Sequence, residues 1–210
     1  MRIELEEIYK SVLEGEMGAI IDKVQAAIDA GISPEVILND GLIAAMSEVG
    51  RLFEEGEYFV PEMLIAARTM QGGLNLLRPF LADTGIEPVG KVVIGTVKGD
   101  LHDIGKNLVS MMLEGAGFEI VDLGTDVAPE SFVQAVSEGV DILGLSALLT
   151  TTMASMSSTV NAIEEAGLRE HVKIIVGGAP VTQAYADQIG ADGFAGDASR
   201  AASLAKSLLS

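Results

Sequence analysis

The chain has 210 residues, of which 31 are acidic and 13 basic, giving a formal net charge of −18 at pH 7. This balance argues against a nucleic-acid partner, because binding the phosphate backbone needs clustered lysine and arginine. The sequence contains no cysteine, which excludes disulfides, thiolate metal ligands and a cysteine nucleophile.

The excess of acidic residues has two explanations that the sequence leaves open. A solvated acidic surface would aid solubility, and an acidic surface would also select partner proteins electrostatically. No apolar run approaches the ~18 residues of a membrane-spanning helix. The N-terminal segment lacks the basic and apolar regions of a signal peptide. We therefore expect a cytoplasmic protein without a membrane partner.

Residues 1–83 carry a helical period. Apolar residues recur at three- and four-residue steps over 8–28, and Gly31 ends this segment. A serine followed by a proline then begins a helix over about 33–53, and a further helix is predicted over 61–81. We expect a helical bundle of about four helices, which would form the first domain.

Residues 84–90 have the turn chemistry of a short linker, and short β-rich runs alternate with helical segments over 91–210. The predicted strands are 91–97, 118–123, 141–146, 172–176 and 193–195, and the predicted helices are about 104–116, 129–138, 152–167, 181–189 and 198–209. Five β/α units predict a flavodoxin-like (Rossmann-type) α/β domain with a five-stranded parallel sheet in the order 2-1-3-4-5.

The loop after the first strand reads Gly99-Asp100-Leu101-His102-Asp103-Ile104-Gly105 and holds one of the two histidines of the chain. Ligands bind at such strand-to-helix junctions of α/β sheets. A histidine with a carboxylate close to its other ring nitrogen is typical of a metal ligand. Gly105 is expected to let the chain turn tightly into the helix. The glycine spacing of a dinucleotide site is absent from this loop, which argues against NAD or FAD.

Four segments in order resemble the cobalamin-binding, methyl-carrying proteins. The run Asp100-Leu-His102-Asp-Ile-Gly105 resembles the Asp-x-His-x-x-Gly signature of base-off, His-on corrinoid proteins. Ser146-Ala-Leu148 and Gly177-Gly178 resemble the other two fingerprints of that family. The run Phe53-Glu-Glu-Gly-Glu-Tyr-Phe-Val60-Pro61 is similar to the helical cap of cobalamin-dependent methionine synthase. The resemblance extends from about residue 10 to the C-terminus.

The resemblance implies a cobalamin or a related corrinoid, bound base-off and His-on, with His102 as the axial ligand to cobalt. Asp100 would accept a hydrogen bond from the other ring nitrogen of His102. Thr152, which replaces a serine of the relatives, would extend this relay. Two alternatives remain at this stage. Asp100 is also typical of a turn or a helix cap, as is Asp103, and Thr152 is also suited to cap the helix that follows it.

The remaining predicted contacts also follow from the resemblance. The loop residues that would line the cofactor are Gly99, Leu101, Asp103, Ile104 and Gly105. Around the nucleotide tail we expect Ser146, Leu148, Thr150, Gly177, Gly178 and Ala198. In isolation the glycine pair would be read as a tight turn. Phe53 and Val60 would cover the upper face of the corrin, although their periodicity alone indicates core residues. The second histidine, His171, is expected at the surface without a role.

The resemblance implies a protein that carries a methyl group on cobalt between a donor methyltransferase and an acceptor methyltransferase with a thiol or tetrahydropterin acceptor. It also implies a reductive activase as a partner. The sequence does not choose among methoxylated aromatics, methylamines, methanol and glycine betaine as donors. Without a substrate-activating domain, we expect a carrier subunit instead of a complete enzyme. A cobalamin-binding sensor and the small subunit of an adenosylcobalamin mutase are the alternatives.

Overall fold

The computed structural model describes residues 2–82 and 87–210. The chain divides into two units, and the boundary between them falls between Glu87 and Pro88. The first unit is helical and the second is built from alternating strands and helices. The predicted linker 84–90 lies partly outside the described residues, so its role stays a prediction.

The helical unit follows the predicted order of elements. Its elements are α1 (Ile3–Glu14), α2 (Met17–Asp29), α3 (Pro34–Val36), a π-helical stretch (Ile37–Ile43), α4 (Ala44–Glu54) and α5 (Val60–Ala82). The residues at the junctions on either side of the π-helical stretch, Val36, Ile37, Ile43 and Ala44, keep right-handed helical dihedral angles. The segment from α3 through α4 is therefore one continuous helix, and the described part of this unit contains four helical segments.

The periodic segment 8–28 is divided in two by Gly15. Its φ of +71° is left-handed, and the N–H of Glu16 donates to Ser11 O at 2.8 Å. These are the features of a glycine-terminated helix end. The apolar period continues across this break because α1 and α2 bury the same kind of face, with Ile8 and Ile20 almost completely buried. Periodicity alone could not show the break.

The second unit is a parallel sheet in the order β2-β1-β3-β4-β5. Its strands are β1 (Lys91–Thr96), β2 (Glu119–Asp122), β3 (Ile142–Ser146), β4 (Lys173–Gly177) and β5 (Gly193–Ala195). Its helices are α6 (Ile104–Gly115), α7 (Pro129–Ser137), α8 (Met153–Glu165), α9 (Gln183–Gln188) and α10 (Ala198–Leu208). The predicted fold class and strand order are confirmed.

The carboxyl ends of the strands meet in one row. In the register of the sheet, Thr96 pairs with Ser146, Ser146 with Gly177, and Gly177 with Ala195. The chain crosses from β1 to β2 in one direction and returns to β3 on the other side of β1. This reversal is the switch point at which open α/β sheets bind ligands, and the loops after β1 and β3 both leave from it.

The sheet is buried on both faces. Val92 and Val93 are consecutive residues of β1, so their side chains point to opposite faces, and both are buried. Phe132, Leu143 and Met156 are among the largest side chains in the core of this unit. None of the described helices combines the length and the apolar character that a membrane span requires.

Candidate functional site

The loop after β1 turns at Gly99, not at Gly105. Gly99 has a φ of +86°, and the N–H of Asp100 donates to Val97 O at 3.1 Å. Gly105 is the second residue of α6 and is not among the glycines with positive φ. The prediction that Gly105 makes the turn is therefore wrong. The position that requires a left-handed φ is Gly99, six residues earlier, where the chain leaves the sheet.

Gly105 has open space above it. Within the part of the chain that the structure describes, no atom lies within 4 Å of a Cβ placed on this residue, apart from its neighbours and its own helix. A glycine in the first turn of a helix costs stability relative to alanine. Internal packing therefore does not explain this glycine.

His102 and Asp100 form a close pair in this loop. Nδ1 of His102 lies 2.7 Å from Oδ1 of Asp100, and the backbone N–H of His102 donates to the same oxygen at 3.0 Å. An ionised carboxylate only accepts hydrogen bonds, so Nδ1 carries the proton in this pair. Nε2, on the other side of the ring, is then left with a lone pair. The His102 side chain is 51% exposed, whereas Asp100 is fully buried.

The second carboxylate oxygen of Asp100 is held by the loop after β3. Oδ2 accepts the backbone N–H groups of Leu148 at 2.8 Å and Leu149 at 3.3 Å. It also accepts the hydroxyl of Thr152 at 2.6 Å. Asp100 thus joins the two loops that leave the switch point of the sheet.

These donors keep Asp100 ionised although it is buried. Burial raises the pKa of a carboxyl group, but here the hydrogen bonds from Thr152, from the backbone and ring of His102 and from Leu148 outweigh it. The pKa of Asp100 consequently lies well below its usual range. The carboxylate therefore carries its negative charge next to the imidazole at neutral pH.

Thr152 occupies the N-cap position of α8, but its side chain makes no capping hydrogen bond. Its hydroxyl lies 2.6 Å from Asp100 Oδ2 and 2.9 Å from Leu149 O. The charged carboxylate is the stronger acceptor and is also the nearer one. The capping alternative for Thr152 is thus excluded, and its side chain faces Asp100. Asp103 accepts a hydrogen bond from the side chain of Asn107 at 3.2 Å.

Apolar side chains are exposed on the same two loops. Leu101 and Ile104 are 71% and 83% exposed, and Leu148 and Leu149 are each about two-fifths exposed. Clustered exposed leucine and isoleucine indicate a binding surface. This apolar rim, defined as these four residues, suits a ligand with a large apolar face.

The residues predicted around the tail lie along the carboxyl edge of the sheet. Ser146 ends β3 and Gly177 ends β4, in register with each other. Thr150 is exposed in the loop after β3, and Ala198 is the buried first residue of α10. The structure therefore places these residues at the ends of β3, β4 and the β5–α10 junction.

The structure explains why residue 178 is glycine, which the sequence did not reveal. Its φ is +133°, and a Cβ at this position would lie 1.9 Å from Ala147 O. Its carbonyl accepts the N–H of Val181 at 3.0 Å, as in a tight turn. The backbone at residue 178 passes so close to Ala147, just after β3, that only glycine fits here, whatever ligand binds nearby. Substituting Gly178 would therefore disturb the backbone and could not report on a ligand pocket.

Phe53 and Val60 belong to the helical unit. Phe53 is half-buried near the end of α4, and Val60, the first residue of α5, is 40% exposed. A simple core role for Val60, which the periodicity indicates, is therefore wrong. The neighbouring Phe59 is more exposed still. The second histidine of the chain, His171, is exposed in a short 3₁₀ turn before β4, as expected.

Sequence reasoning missed two residues that hold the loop of His102. The hydroxyl of Thr96, buried at the end of β1, donates to His102 O at 3.0 Å. Asp126, between β2 and α7, accepts the N–H of Gly99 on its carboxylate at 2.7 Å. A threonine within a strand and an aspartate in a turn are both common, so neither position gave a signal.

The buried Lys106 connects the start of α6 to the end of β2. Its ammonium group forms an ion pair with Asp122 at the end of β2 and lies 2.8 Å from Asn107 Oδ1. An unpaired buried lysine would be costly, so this pair fixes the start of α6 against the sheet edge.

Comparisons with known proteins agree with this geometry. A B12 binding domain model matches residues 90–205, and a second B12 binding domain model matches residues 4–78. The chain is 44% identical over 209 residues to dimethylamine corrinoid protein 2 of Methanosarcina acetivorans, covering 97% of each chain.

Two solved structures are similar over nearly the whole chain. A cobalamin-binding protein from Desulfitobacterium hafniense has a TM-score of 0.82 at 33% identity, with 99% of each chain covered. A chain of the methanol:cobalamin methyltransferase complex MtaBC from Methanosarcina barkeri has a TM-score of 0.87 at 32% identity, with 98% of this chain and 79% of that chain covered.

A doubly wound sheet with a carboxylate-held histidine at its switch point defines a cofactor-binding α/β protein. The chain belongs to the family of B12-binding corrinoid proteins of methyltransferase systems. It therefore binds a corrinoid, and the predicted class, a methyl-carrying corrinoid protein, is confirmed.

The hydrogen bond from Thr152 to Asp100 predicts a pH-dependent stability difference. Thr152→Val keeps the shape and removes the hydroxyl, so the free energy of unfolding of the apoprotein should fall by about 1.5–3 kcal/mol at about pH 6. The pKa of Asp100 would rise toward its ordinary value of 3.8. A depressed folded-state pKa stabilises above the unfolded pKa and loses this effect as pH falls. The difference from the native protein should shrink toward about pH 3.

Urea denaturation at the two pH values measures this difference. Thr159→Val is a matched control, because the buried hydroxyl of Thr159 donates to Ser155 O at 2.8 Å, away from any carboxylate. Its effect should be the same at both pH values. A Thr152→Val difference that stayed constant or grew on acidification would contradict the assigned hydrogen bond.

Proposed function

We propose that this protein carries a methyl group between a donor methyltransferase and an acceptor methyltransferase on a corrinoid that is bound base-off, with His102 as the axial ligand to cobalt. The observation that carries the proposal is the exposed imidazole whose Nδ1 is held by a fully buried carboxylate. This arrangement presents the lone pair of Nε2 outward in a fixed direction, as a metal-ligating histidine requires.

The residues around His102 fit a flat, mostly apolar macrocycle. The apolar rim of Leu101, Ile104, Leu148 and Leu149 surrounds the loops that hold the imidazole. Gly105 leaves free space at the start of α6. A corrin would bring its own four nitrogens to cobalt, so the nitrogen of His102 would be the only ligand that the protein needs to supply.

When bound, the corrinoid supplies the cobalt that accepts and gives up the methyl group. The protein supplies ligation and presentation. Asp100 orients the His102 ring and holds the proton on Nδ1, which makes the imidazole a better donor through Nε2. Thr152 and the N–H groups after β3 hold Asp100 in turn. His102, Asp100 and Thr152 act as one relay.

We assign the nucleotide tail to the carboxyl edge of β3 and β4. Ser146 and Thr150 supply hydroxyl groups there, Leu148 an apolar wall, and Gly177 and Ala198 small residues beside the strand ends. Gly178 shapes this edge through its turn against Ala147. The contacts of Gly99 and Asp103, and the covering of the upper corrin face by Phe53 and Val60, stay predictions from the resemblance.

We infer a methylated amine as the donor substrate of the partner methyltransferase. The support is the 44% identity to dimethylamine corrinoid protein 2 over 97% of both chains; the chain of the methanol methyltransferase complex is 32% identical. The acceptor methyltransferase would take the methyl group to a thiol or a tetrahydropterin, and a reductive activase would restore the corrinoid after oxidation.

Methyl transfer tests the carrier function directly. The reduced holoprotein is incubated with carbon-13-labelled dimethylamine and a dimethylamine-specific corrinoid methyltransferase, and NMR follows the label on the holoprotein and its release to a thiol when the acceptor enzyme is added. Label should appear only with holoprotein, and corrinoid-free protein is the control. Parallel incubations supply each other donor class together with the methyltransferase specific for it, and labelling from methanol but not from any methylamine would overturn the donor class. No labelling from any of the donor classes named above would overturn the carrier function.

Removing His102 tests the axial ligand. Nitrogen superhyperfine splitting is expected in the electron paramagnetic resonance spectrum of the cobalt(II) state of the native holoprotein, and it should vanish in His102→Ala. His171→Ala, which removes the other histidine of the chain, should leave the spectrum unchanged. Splitting that persisted in His102→Ala would show that this histidine is not the ligand.

Filling the space above Gly105 tests the face on which the macrocycle lies. Gly105→Leu should keep or raise the stability of the apoprotein by about 0.5–1 kcal/mol, because glycine is unfavourable within a helix. It should nevertheless weaken corrinoid binding about tenfold or more in titrations followed by absorbance. Gly18→Leu is the matched control, since Gly18 is also the second residue of its helix and a Cβ placed on it meets no atom of the described chain within 4 Å, apart from its neighbours and its own helix. Equal affinities for both variants would place the macrocycle elsewhere.

A further inference from the structure

Asp126 has a strained backbone conformation beside the loop of His102. Its φ is +54°, and it is the one residue other than glycine with a positive φ among residues 2–82 and 87–210. Such a conformation costs roughly 1–2 kcal/mol for a residue with a Cβ, although aspartate tolerates it better than most. Strain of this kind persists where the surrounding structure requires it.

Asp126 forms hydrogen bonds to the loop of His102 through both its side chain and its backbone. Its carboxylate accepts the N–H of Gly99 at 2.7 Å, and its own N–H donates to Asp100 O at 2.9 Å. The two bonds hold the N–H of Gly99, the residue before Asp100, and the carbonyl of Asp100 itself. In this left-handed conformation both the carboxylate and the N–H of Asp126 bond to the loop of His102.

The turn that carries Asp126 is already closed without its carboxylate. Thr96 N–H donates to Gly124 O at 2.9 Å, and Val127 N–H donates to Thr96 O at 3.0 Å. These backbone bonds join the β2–α7 connection to the end of β1. The carboxylate therefore adds a separate bond to the N–H of Gly99, the residue before Asp100.

We propose that Asp126 is a positioning residue that sets where His102 stands against the corrin. It fixes the backbone of Asp100 from the β2 side, while Leu148 and Thr152 fix the carboxylate from the β3 side. Without the carboxylate, the N–H of Gly99 loses its acceptor, so the backbone before Asp100 is held less firmly and the imidazole no longer has one fixed position. This inference rests on the proposed ligation of cobalt by His102.

The test compares three variants in apoprotein and holoprotein. Asp126→Gly removes the carboxylate and accepts the positive φ without strain, so the fold is retained. Asp126→Asn keeps an oxygen acceptor for Gly99 and tolerates the left-handed conformation. Asp141→Ala is the matched control, because the Asp141 carboxylate also accepts a backbone N–H, that of Lys91, at 2.7 Å, but at the opposite edge of the sheet.

Two measurements separate a positioning role from a general loss of structure. In the apoprotein, amide hydrogen exchange of Gly99 should be about tenfold faster or more in Asp126→Gly and unchanged in the other two variants. In the holoprotein, the cobalt(II) spectrum of Asp126→Gly should show a mixture with and without the nitrogen splitting of His102. Asp126→Asn should restore one species, and Asp141→Ala should match the native protein.

The outcomes distinguish this inference from the proposed function. The role of Asp126 would be overturned if the holoproteins of both Asp126 variants showed the native nitrogen splitting and the Gly99 amide of Asp126→Gly stayed protected from exchange. That result would leave the ligation by His102 intact. A native holoprotein without nitrogen splitting would overturn the ligation itself. A mixture that appeared equally in Asp141→Ala would assign the effect to general loosening of the sheet and would also overturn the positioning role.

Discussion

The buried carboxylate of Asp100 is the interaction on which the site depends. Moving a charge into the protein interior costs several kcal/mol unless hydrogen bonds replace its hydration. Asp100 meets this cost with donors from two loops, two of them from His102 and the others from Leu148, Leu149 and Thr152. Because neither loop supplies enough donors alone, the charge is stable only when both loops are in place, and the imidazole is oriented by the same event.

The sheet order explains why these two loops meet. The chain continues from β1 to an outer strand and returns to the other side of β1, so β3 is the neighbour of β1 although it follows about fifty residues later. The register that pairs Thr96 with Ser146 aligns their carboxyl ends. The loops then leave from the same height, and a side chain as short as aspartate spans them. The strand order thus brings the two loops close together, and the residues of each loop supply the hydrogen-bond donors to Asp100.

Hydrophobic periods in the sequence predict the strand order, because they are local. The grouping of His102, Asp100 and Thr152 is predicted from the resemblance to corrinoid proteins, since Thr152 lies fifty residues beyond the motif of His102. The remaining features depend on backbones far apart in sequence. Gly178 is needed because Ala147 O lies beside it, and Asp126 because Gly99 N–H points to it. The turn is predicted at Gly105 but lies at Gly99, because nothing in the motif shows which glycine carries the positive φ.

The site is also where this chain departs from the rules that stabilise the rest of it. The loops and helix starts around His102 combine a fully buried charge, a non-glycine residue at positive φ, a glycine within a helix and isoleucine at 83% exposure. Each feature is unfavourable for an isolated fold, whereas the core of the sheet unit away from the site is formed by buried apolar residues such as Phe132, Leu143 and Met156. Unfavourable features concentrated at one point indicate selection for binding, since a ligand covers the exposed residues and fills the open space. These features thus indicate a binding site at the carboxyl ends of β1 and β3, independently of any likeness to relatives.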